Sequence, residues 1–269
     1  MRFWRLRSCT LVVLLFALSG GAAFADKRVA LIIGNSAYKR VVRLPNPVND
    51  AAAVAAMFTS AGFDTVVSKF DLTNTDMHGA VREFTGVARE ADIAVVYYSG
   101  HGIEIRGKNY LVPVDARLAS DLDVEDETIS FDHIMDMLES VKRLRLIILD
   151  ACRVNPFGKT RSIGRGLATF VPPTGDTLIA YAASSGNISS DGDGDHSPFT
   201  FALLHNIAAP GVDLRIAFGK VRDEVLKSTN GLQTPFTTGY LSDPGATIAL
   251  VPVSAPVPAA EPPRRREQQ

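Results

Sequence analysis

Short runs rich in apolar residues alternate along this chain with segments whose apolar residues recur at helical spacing. One such helical segment places Val54, Met57, Phe58 and Ala61 on a single face. Alternation of this kind predicts βαβ units and a mostly parallel sheet covered by helices on both sides. The strand-like runs are KRVALIIGN (27–35), DTVVSKF (64–70), ADIAVVYYSGHG (91–102), LRLIILDAC (144–152) and TLIAYAAS (177–184).

The first 25 residues have the composition of a secretory signal peptide. MRFWRLRSC carries three arginines and no acid, TLVVLLFAL is an apolar run of nine residues, and Ala23-Phe24-Ala25 provides a small-residue cleavage site. An uncleaved membrane anchor is the alternative, but the apolar run is too short to cross a bilayer. We therefore expect a periplasmic or secreted protein without a stable membrane anchor. We also expect one domain over 26–251 and a flexible Pro-rich tail over 252–269.

The charge balance and the cysteine content restrict the classes of function that this chain can have. Removal of the leader takes away Arg2, Arg5 and Arg7, which leaves 25 basic residues against 29 acidic ones. This balance gives no reason to expect a nucleic-acid partner. Cys9 lies in the leader, so Cys152 is the one thiol of the remaining chain. A lone thiol is either an inert core residue or is kept for its reactivity.

Two of the predicted strands end on groups that perform acid–base or nucleophilic chemistry, His101 and Cys152. The carboxyl ends of neighbouring parallel strands meet at one edge of the sheet, so the two side chains are expected within catalytic reach. A thiolate attacks a carbonyl carbon, and an imidazole moves the proton. Backbone N–H groups of Gly102 and Cys152 could hold the oxyanion. The alternative is a buried structural cysteine and an unrelated loop histidine.

The motifs YYSGHG and LDACR resemble those of the caspase-like cysteine peptidases, that is caspases, paracaspases and metacaspases. ALIIGN, PVNDA, YLVPVDA and DGDHSPFTFALL extend the resemblance from about Val29 to Leu241. It implies a three-layer α/β/α sandwich around a six-stranded, mostly parallel sheet with an antiparallel edge strand. It also implies a cysteine endopeptidase acting on peptide or protein substrates, with His101 as general base and Cys152 as nucleophile.

The same resemblance bears on specificity. Asp150 stands two residues before Cys152, where caspases that cut after Asp have Gln, and Asp50 in PVNDA matches a second pocket carboxylate of metacaspases. Two carboxylates would select a P1 Arg or Lys. Alternatively, Asp50 could complement a helix dipole and Asp150 could cap a strand end. Ser99 and Ser184, near the ends of two strands, are further candidates for substrate binding.

No cofactor is required for this chemistry, and no metal ligands are assigned. Calcium is a candidate activator, because many metacaspases need it at acidic residues after the hairpin, where this chain has the run 121–127. The DGDGD sequence (191–195) does not fit an EF-hand, whose sixth and twelfth positions would fall here on His196 and Ala202. Two rivals to a peptidase remain: a catalytically silent binding or scaffold module with this fold, and another thiol acyl-transfer enzyme such as an amidase or transpeptidase.

Overall fold

The computed structural model describes residues 26–152, 167–170, 176–184, 189–192, 194–242 and 247–253, with Cys152 described by its backbone alone. The predicted signal peptide and the tail beyond residue 253 lie outside this part of the chain. None of the helices in the described part is long and apolar enough to cross a membrane.

The fold is built on one large sheet. Six strands follow the order β2-β1-β3-β6-β7-β8, all parallel except β8, which runs antiparallel to β7. Two short antiparallel strands, β4 and β5, extend the sheet beside the far end of β3, with which β4 forms a hairpin. The strands are β1 Arg28–Gly34, β2 Thr65–Phe70, β3 Ile93–Ile105, β4 Lys108–Leu111, β5 Ile129–Ser130, β6 Leu144–Cys152, β7 Thr177–Tyr181 and β8 Phe236–Tyr240.

Helices cover both faces of the sheet, so the predicted three-layer architecture is confirmed. Helices α2 and α4 pack on one face, and α1, α5 and α6 pack on the other. Burial on both sides explains why the strands have unbroken apolar runs rather than alternating ones. The helices are α1 Pro47–Ser60, α2 Asn74–Ala88, α3 Val124–Glu127, α4 Phe131–Met137, α5 Pro198–Asn206 and α6 Leu214–Ser228, with a 3-10 turn at Asp121–Asp123.

Side-chain caps fix the start of several helices. Thr73 accepts a hydrogen bond from the backbone of Asp76 at the start of α2. Ser197 does the same for Thr200 at the start of α5, where Pro198 occupies the first helical position. These contacts satisfy N–H groups that the first turn of a helix otherwise leaves unpaired.

A loop between β1 and α1, residues 35–46 (hereafter loop 35–46), packs over the end of β3. Tyr38 from this loop belongs to a third apolar cluster that includes Ile103 of β3 and Val112 beyond β4. At the opposite end of the sheet, the segment 247–253 is bound to the start of α6, where Leu214 N–H donates to the Ile248 carbonyl at 2.9 Å. Loop 35–46 therefore lies at the edge of the sheet that holds His101.

Candidate active site

The strands β3 and β6 pair in parallel over nine residues, and the last pair of the ladder is His101 with Cys152. Two residues earlier, Ser99 is paired with Asp150. Adjacent strands lie about 4.8 Å apart, so the backbones of His101 and Cys152 are immediate neighbours. Ser99 is buried, and Ser184 is half-buried three residues beyond the end of β7. These five residues therefore lie at one edge of the sheet, at the carboxyl ends of β3, β6 and β7.

The imidazole of His101 is buried and oriented by a backbone carbonyl. Its Nε2 lies 3.0 Å from the carbonyl oxygen of Val42 in loop 35–46. Because a carbonyl oxygen can only accept, Nε2 carries the hydrogen and Nδ1 keeps a free lone pair. Nδ1 is buried, and no atom of the described residues forms a hydrogen bond with it. Burial lowers the pKa of His101, and the Val42 hydrogen bond opposes this only in part, so the ring is a neutral base near pH 7.

Two tyrosines hold the backbone of His101. Its N–H donates to the hydroxyl of Tyr38 at 2.7 Å, and the hydroxyl of Tyr98 lies 2.7 Å from its carbonyl oxygen. The Tyr38 ring also packs against the imidazole, with 4.3 Å between ring centroids. Gly100 has φ +155°, and a Cβ there would lie 2.6 Å from the Tyr38 hydroxyl oxygen. The Ser-Gly-His sequence therefore needs its glycine.

Gly102 also lies in a tight place. A Cβ at this residue would meet Leu167 Cδ2 at 3.1 Å and Ala151 Cβ at 3.2 Å. The glycine thus lets Leu167 pack closely on the end of β3, directly beside the candidate pair.

Loop 35–46, which supplies the Val42 carbonyl, is anchored to the fold through its first residues. The carboxylate of Asp71 accepts from the N–H groups of Ser36 and Ala37, each at 2.7 Å. Asn35 is fully buried and bridges two segments: its Oδ1 accepts from Leu72 N–H at 2.9 Å, and its Nδ2 donates to the Val112 carbonyl at 3.2 Å.

A second polar group lies at the same edge of the sheet, around Asp50 and Asp150. Both carboxylates are buried. Asp50, in the first turn of α1, has its Oδ1 2.8 Å from His196 Nδ1 and accepts from Ser197 N–H at 3.3 Å. Asp150 accepts from the hydroxyls of Ser197, Thr200 (2.8 Å) and Ser189 (3.5 Å). Ser197 contacts both carboxylates, so the two form one acidic cluster.

A third carboxylate, Asp191, adds to this cluster. It accepts from the backbone N–H of Asn46 at 3.2 Å. The Asn46 side chain stands at the N-cap position of α1 but makes no cap hydrogen bond; it donates instead to the carbonyls of Asp191 (2.5 Å) and Gly194 (3.0 Å). These two hydrogen bonds orient the amide toward the 191–194 segment and bind Asp191 to the start of α1.

The acidic cluster contains three carboxylates with little positive charge beside them. Burial, followed by the charges of Asp150 and Asp191, raises the pKa of Asp50. Burial also raises the pKa of Asp150, opposed by its hydroxyl partners, and burial raises that of Asp191. Among the ion pairs between described residues, His196 is the sole basic partner of these three carboxylates. Such a cluster favours a cation that would restore the ionised forms.

Two carboxylates of the acidic run 121–127 accept hydrogen bonds from backbone N–H groups. Glu127 accepts from the N–H groups of Arg117 (2.6 Å) and Leu118 (2.9 Å), and Asp123 accepts from Ser120 N–H (2.8 Å). Within the described ranges, no group of three or more His, Cys, Asp or Glu side chains has the arrangement of a metal site.

Sequence reasoning missed Tyr38, Val42, Asp191 and His196 as parts of these two groups. The structure joins His196 to Asp50, 146 residues away in sequence. The DGDGD sequence drew attention to Asp191 for calcium rather than for an acidic pocket. Val42 contributes a carbonyl, which every residue has, so no sequence signal could mark it.

Comparison with known proteins agrees with the motifs. The caspase domain model matches residues 27–243, from β1 through β8. Human mucosa-associated lymphoid tissue lymphoma translocation protein 1 is 30% identical over 164 residues, which are 60% of this chain and 19% of that protein. Its mouse homologue is 30% identical over 168 residues, 62% of this chain and 19% of that protein. The chain thus spans about a fifth of the length of these relatives. Because the family model covers most of it, the chain belongs to the caspase domain family.

Proposed function

We propose that this protein is a cysteine endopeptidase that cleaves after Arg or Lys, with Cys152 as nucleophile and His101 as base. The observation that carries the proposal is the β3–β6 register. It pairs His101 with Cys152 at the sheet edge that also holds the acidic cluster, with Asp150 two residues before the cysteine. The nucleophile and the group that selects the substrate would then lie on one strand.

The chemistry follows from the free lone pair on His101 Nδ1. Nδ1 accepts the thiol proton of Cys152, and the thiolate forms a bond to the peptide carbonyl carbon. N–H groups of Gly102 and Cys152 stabilise the oxyanion. The imidazolium then gives its proton to the peptide nitrogen, the C–N bond breaks, and the amine leaves. A water molecule then attacks the carbonyl carbon of the thioester while Nδ1 takes a proton from the water. The C–S bond breaks and the carboxylic acid product is released. The proton on Nδ1 returns to the Cys152 thiolate.

The Val42 carbonyl supports both halves of this cycle. It holds the Nε2–H and so fixes which nitrogen faces the reaction. It also stabilises the imidazolium that forms in each half, because a carbonyl dipole interacts more strongly with a charged donor. The lowered pKa of His101 keeps the ring in its basic form at neutral pH.

Selection of a basic P1 side chain rests on the acidic cluster. Asp150 is already bound by three hydroxyls, whereas Asp50 has His196 and two long contacts from Ser197 N–H. Asp50 is therefore the carboxylate that would form the direct ion pair, with Asp150 and Asp191 adding negative potential. Ser99 and Ser184 are proposed to line the substrate path at the same strand ends.

Hydrolysis of fluorogenic peptides tests the proposal. Peptides ending in Arg, Lys, Asp or citrulline, the neutral isostere of Arg, are offered to the wild-type protein and to Cys152→Ala, each with and without calcium. We expect turnover of Arg or Lys peptides alone, and none by the variant. Turnover of Asp peptides alone would overturn the role of Asp50 and Asp150. Silence on all peptides would favour a binding or scaffold module, and activity only with calcium would support its role as activator.

A further inference from the structure

The acidic cluster is closed in this structure, and His196 closes it. The side chain of Asp50 has no exposed surface, while 26% of the His196 side chain is exposed. The ring nitrogen Nδ1 of His196 lies 2.8 Å from Asp50 Oδ1. Because the His196 imidazole contacts the Asp50 carboxyl group on one side and solvent on the other, it lies between Asp50 and solvent.

His196 is also the closest polar partner that Asp50 has among the described residues. Ser197 N–H approaches the two carboxylate oxygens only to 3.3 and 3.4 Å. Asp150 is different, since it is bound by hydroxyls within the fold. An incoming basic side chain can therefore gain a strong partner at Asp50, but only in the place where the His196 imidazole now lies.

The backbone around His196 is held by hydrogen bonds on both sides, whereas its ring is partly exposed to solvent. The preceding Gly194 carbonyl accepts from Asn46 Nδ2 at 3.0 Å, and the following Ser197 caps α5. The ring is partly exposed, so a change of rotamer would uncover Asp50 without refolding the loop. A guanidinium brings five donors and a permanent charge against one imidazole donor.

We infer that His196 occupies the cation-binding position of the substrate-free protein and that a P1 Arg or Lys side chain must displace it to reach Asp50. This inference rests on the proposed function and deepens it, because it makes His196 a specificity-determining residue. The histidine competes with the substrate side chain for one carboxylate. It therefore sets the affinity for basic substrates and leaves the chemical step unchanged.

Kinetics with Arg peptides test this competition. His196→Ala removes the competitor, so we expect KM to fall roughly tenfold, the value of one hydrogen bond to a charged group, with kcat unchanged. The inhibition constant of agmatine, a small guanidinium probe, should fall by a similar factor. His196→Lys places a permanent tethered cation at Asp50 and should raise both values. Because the two variants have opposite expected signs, a general loss of folding cannot imitate the result.

His205→Ala is the matched control. His205 Nδ1 lies 3.0 Å from Glu224 Oε1, so it also forms a histidine–carboxylate pair, between α5 and α6, and this pair is separate from the three carboxylates of the cluster. This variant should leave KM and agmatine inhibition unchanged. An unchanged or higher KM in His196→Ala, with Arg peptides still cleaved by the wild type, would overturn the inference alone. Absence of Arg and Lys turnover and of agmatine binding in the wild type would overturn the proposed specificity and this inference together.

Discussion

The hydroxyl of Tyr38 accepts the backbone N–H of His101 at 2.7 Å, while the two rings pack with 4.3 Å between their centroids. One residue of loop 35–46 thus holds both the main chain and the ring of the proposed base. Val42, from the same loop, binds the imidazole Nε2. The orientation of His101 is therefore set by a segment that contributes no reactive group of its own.

Tyr38→Phe should reduce the chemical step without changing substrate affinity. The variant keeps the ring contact but leaves the buried His101 N–H without its acceptor, which costs about 1–3 kcal/mol. We expect kcat to fall roughly tenfold and KM for Arg peptides to stay nearly constant, because the Tyr38 hydroxyl binds His101, Tyr98 and Val112 rather than a substrate-selecting carboxylate. The acid limb of the pH–rate profile, which reports the pKa of His101, should also shift, because the variant would hold this base less firmly.

The control is Tyr240→Phe, on the half-exposed face of β8. It should leave kcat, KM and the pH profile unchanged. A Tyr38→Phe protein with wild-type kcat would show that the hydroxyl does not position His101. A rise in KM at constant kcat would point instead to a role in substrate binding.

Gly100→Ala should destabilise the fold. The added methyl would lie 2.6 Å from the Tyr38 hydroxyl oxygen and 2.7 Å from that of Tyr98, and the backbone has a φ that L residues rarely adopt. We expect a loss of about 2 kcal/mol or more in unfolding free energy, measured by urea denaturation. Gly79→Ala in α2 is the control, since its methyl meets nothing within 4 Å and should stabilise the helix by about 0.5–1 kcal/mol. Equal stability of the two variants would contradict this account of the Ser-Gly-His turn.

The strands and their carboxyl-end residues were predictable because burial on both faces imposes a simple pattern. A short apolar run such as 146–149 is typical of a strand that is buried on both faces of a covered parallel sheet. Alternation with helices then brings consecutive strand ends together, and so His101 and Cys152 were expected as neighbours before their pairing was seen.

The contacts around those ends were less predictable, for two physical reasons. A backbone acceptor such as the Val42 carbonyl leaves no trace in side-chain identity. Polar side chains in loops also have several partners within reach: Asn46 looks like a helix cap in sequence, yet the carbonyls of Asp191 and Gly194 bind it instead. The His196–Asp50 contact joins two distant segments and depends on how a loop closes over α1.

Asp50→Asn should stabilise the protein at alkaline pH. The unfolded-state pKa of the carboxyl is near 3.8, and in the folded protein burial raises it to about 9. The folded state therefore holds the proton more tightly, so stability falls as pH rises from about 4 through about 9. Asn cannot ionise and escapes this loss. We expect equal Tm values near pH 4 and a Tm a few degrees higher for the variant at pH 8.

Asp213→Asn provides a contrast of opposite sign. Hydrogen bonds, first from the Arg215 side chain, lower the pKa of Asp213, which also caps α6 and accepts from Ile248 N–H at 3.0 Å. A depressed carboxyl pKa stabilises the fold above the unfolded-state value and loses that contribution as pH falls. The variant should thus have a lower Tm at pH 7, by the equivalent of about 1 kcal/mol. The deficit should shrink below about pH 4. A deficit that is the same at pH 3 and pH 7 would show that the charge of Asp213 is not involved.

Binding of a basic ligand should release a proton. At pH 7.5 the raised pKa of Asp50 keeps its carboxyl largely protonated, and an adjacent guanidinium would lower that pKa and expel the proton. Titration calorimetry with agmatine in phosphate and in Tris separates this proton from the binding heat, because the two buffers differ in ionisation enthalpy. We expect release of a large fraction of one proton per ligand by the wild type.

Asp50→Asn is the decisive comparison for this proton. It keeps the shape of the side chain and its capacity to accept from His196, yet it has no proton to lose, so the buffer dependence should vanish and agmatine should bind more weakly. Binding to the wild type with the same heat in both buffers would mean that Asp50 is already ionised or that the cation lies elsewhere. A proton release that persists in Asp50→Asn would assign the proton to another group of the cluster. Asp150 would be the first candidate, because burial also raises its pKa.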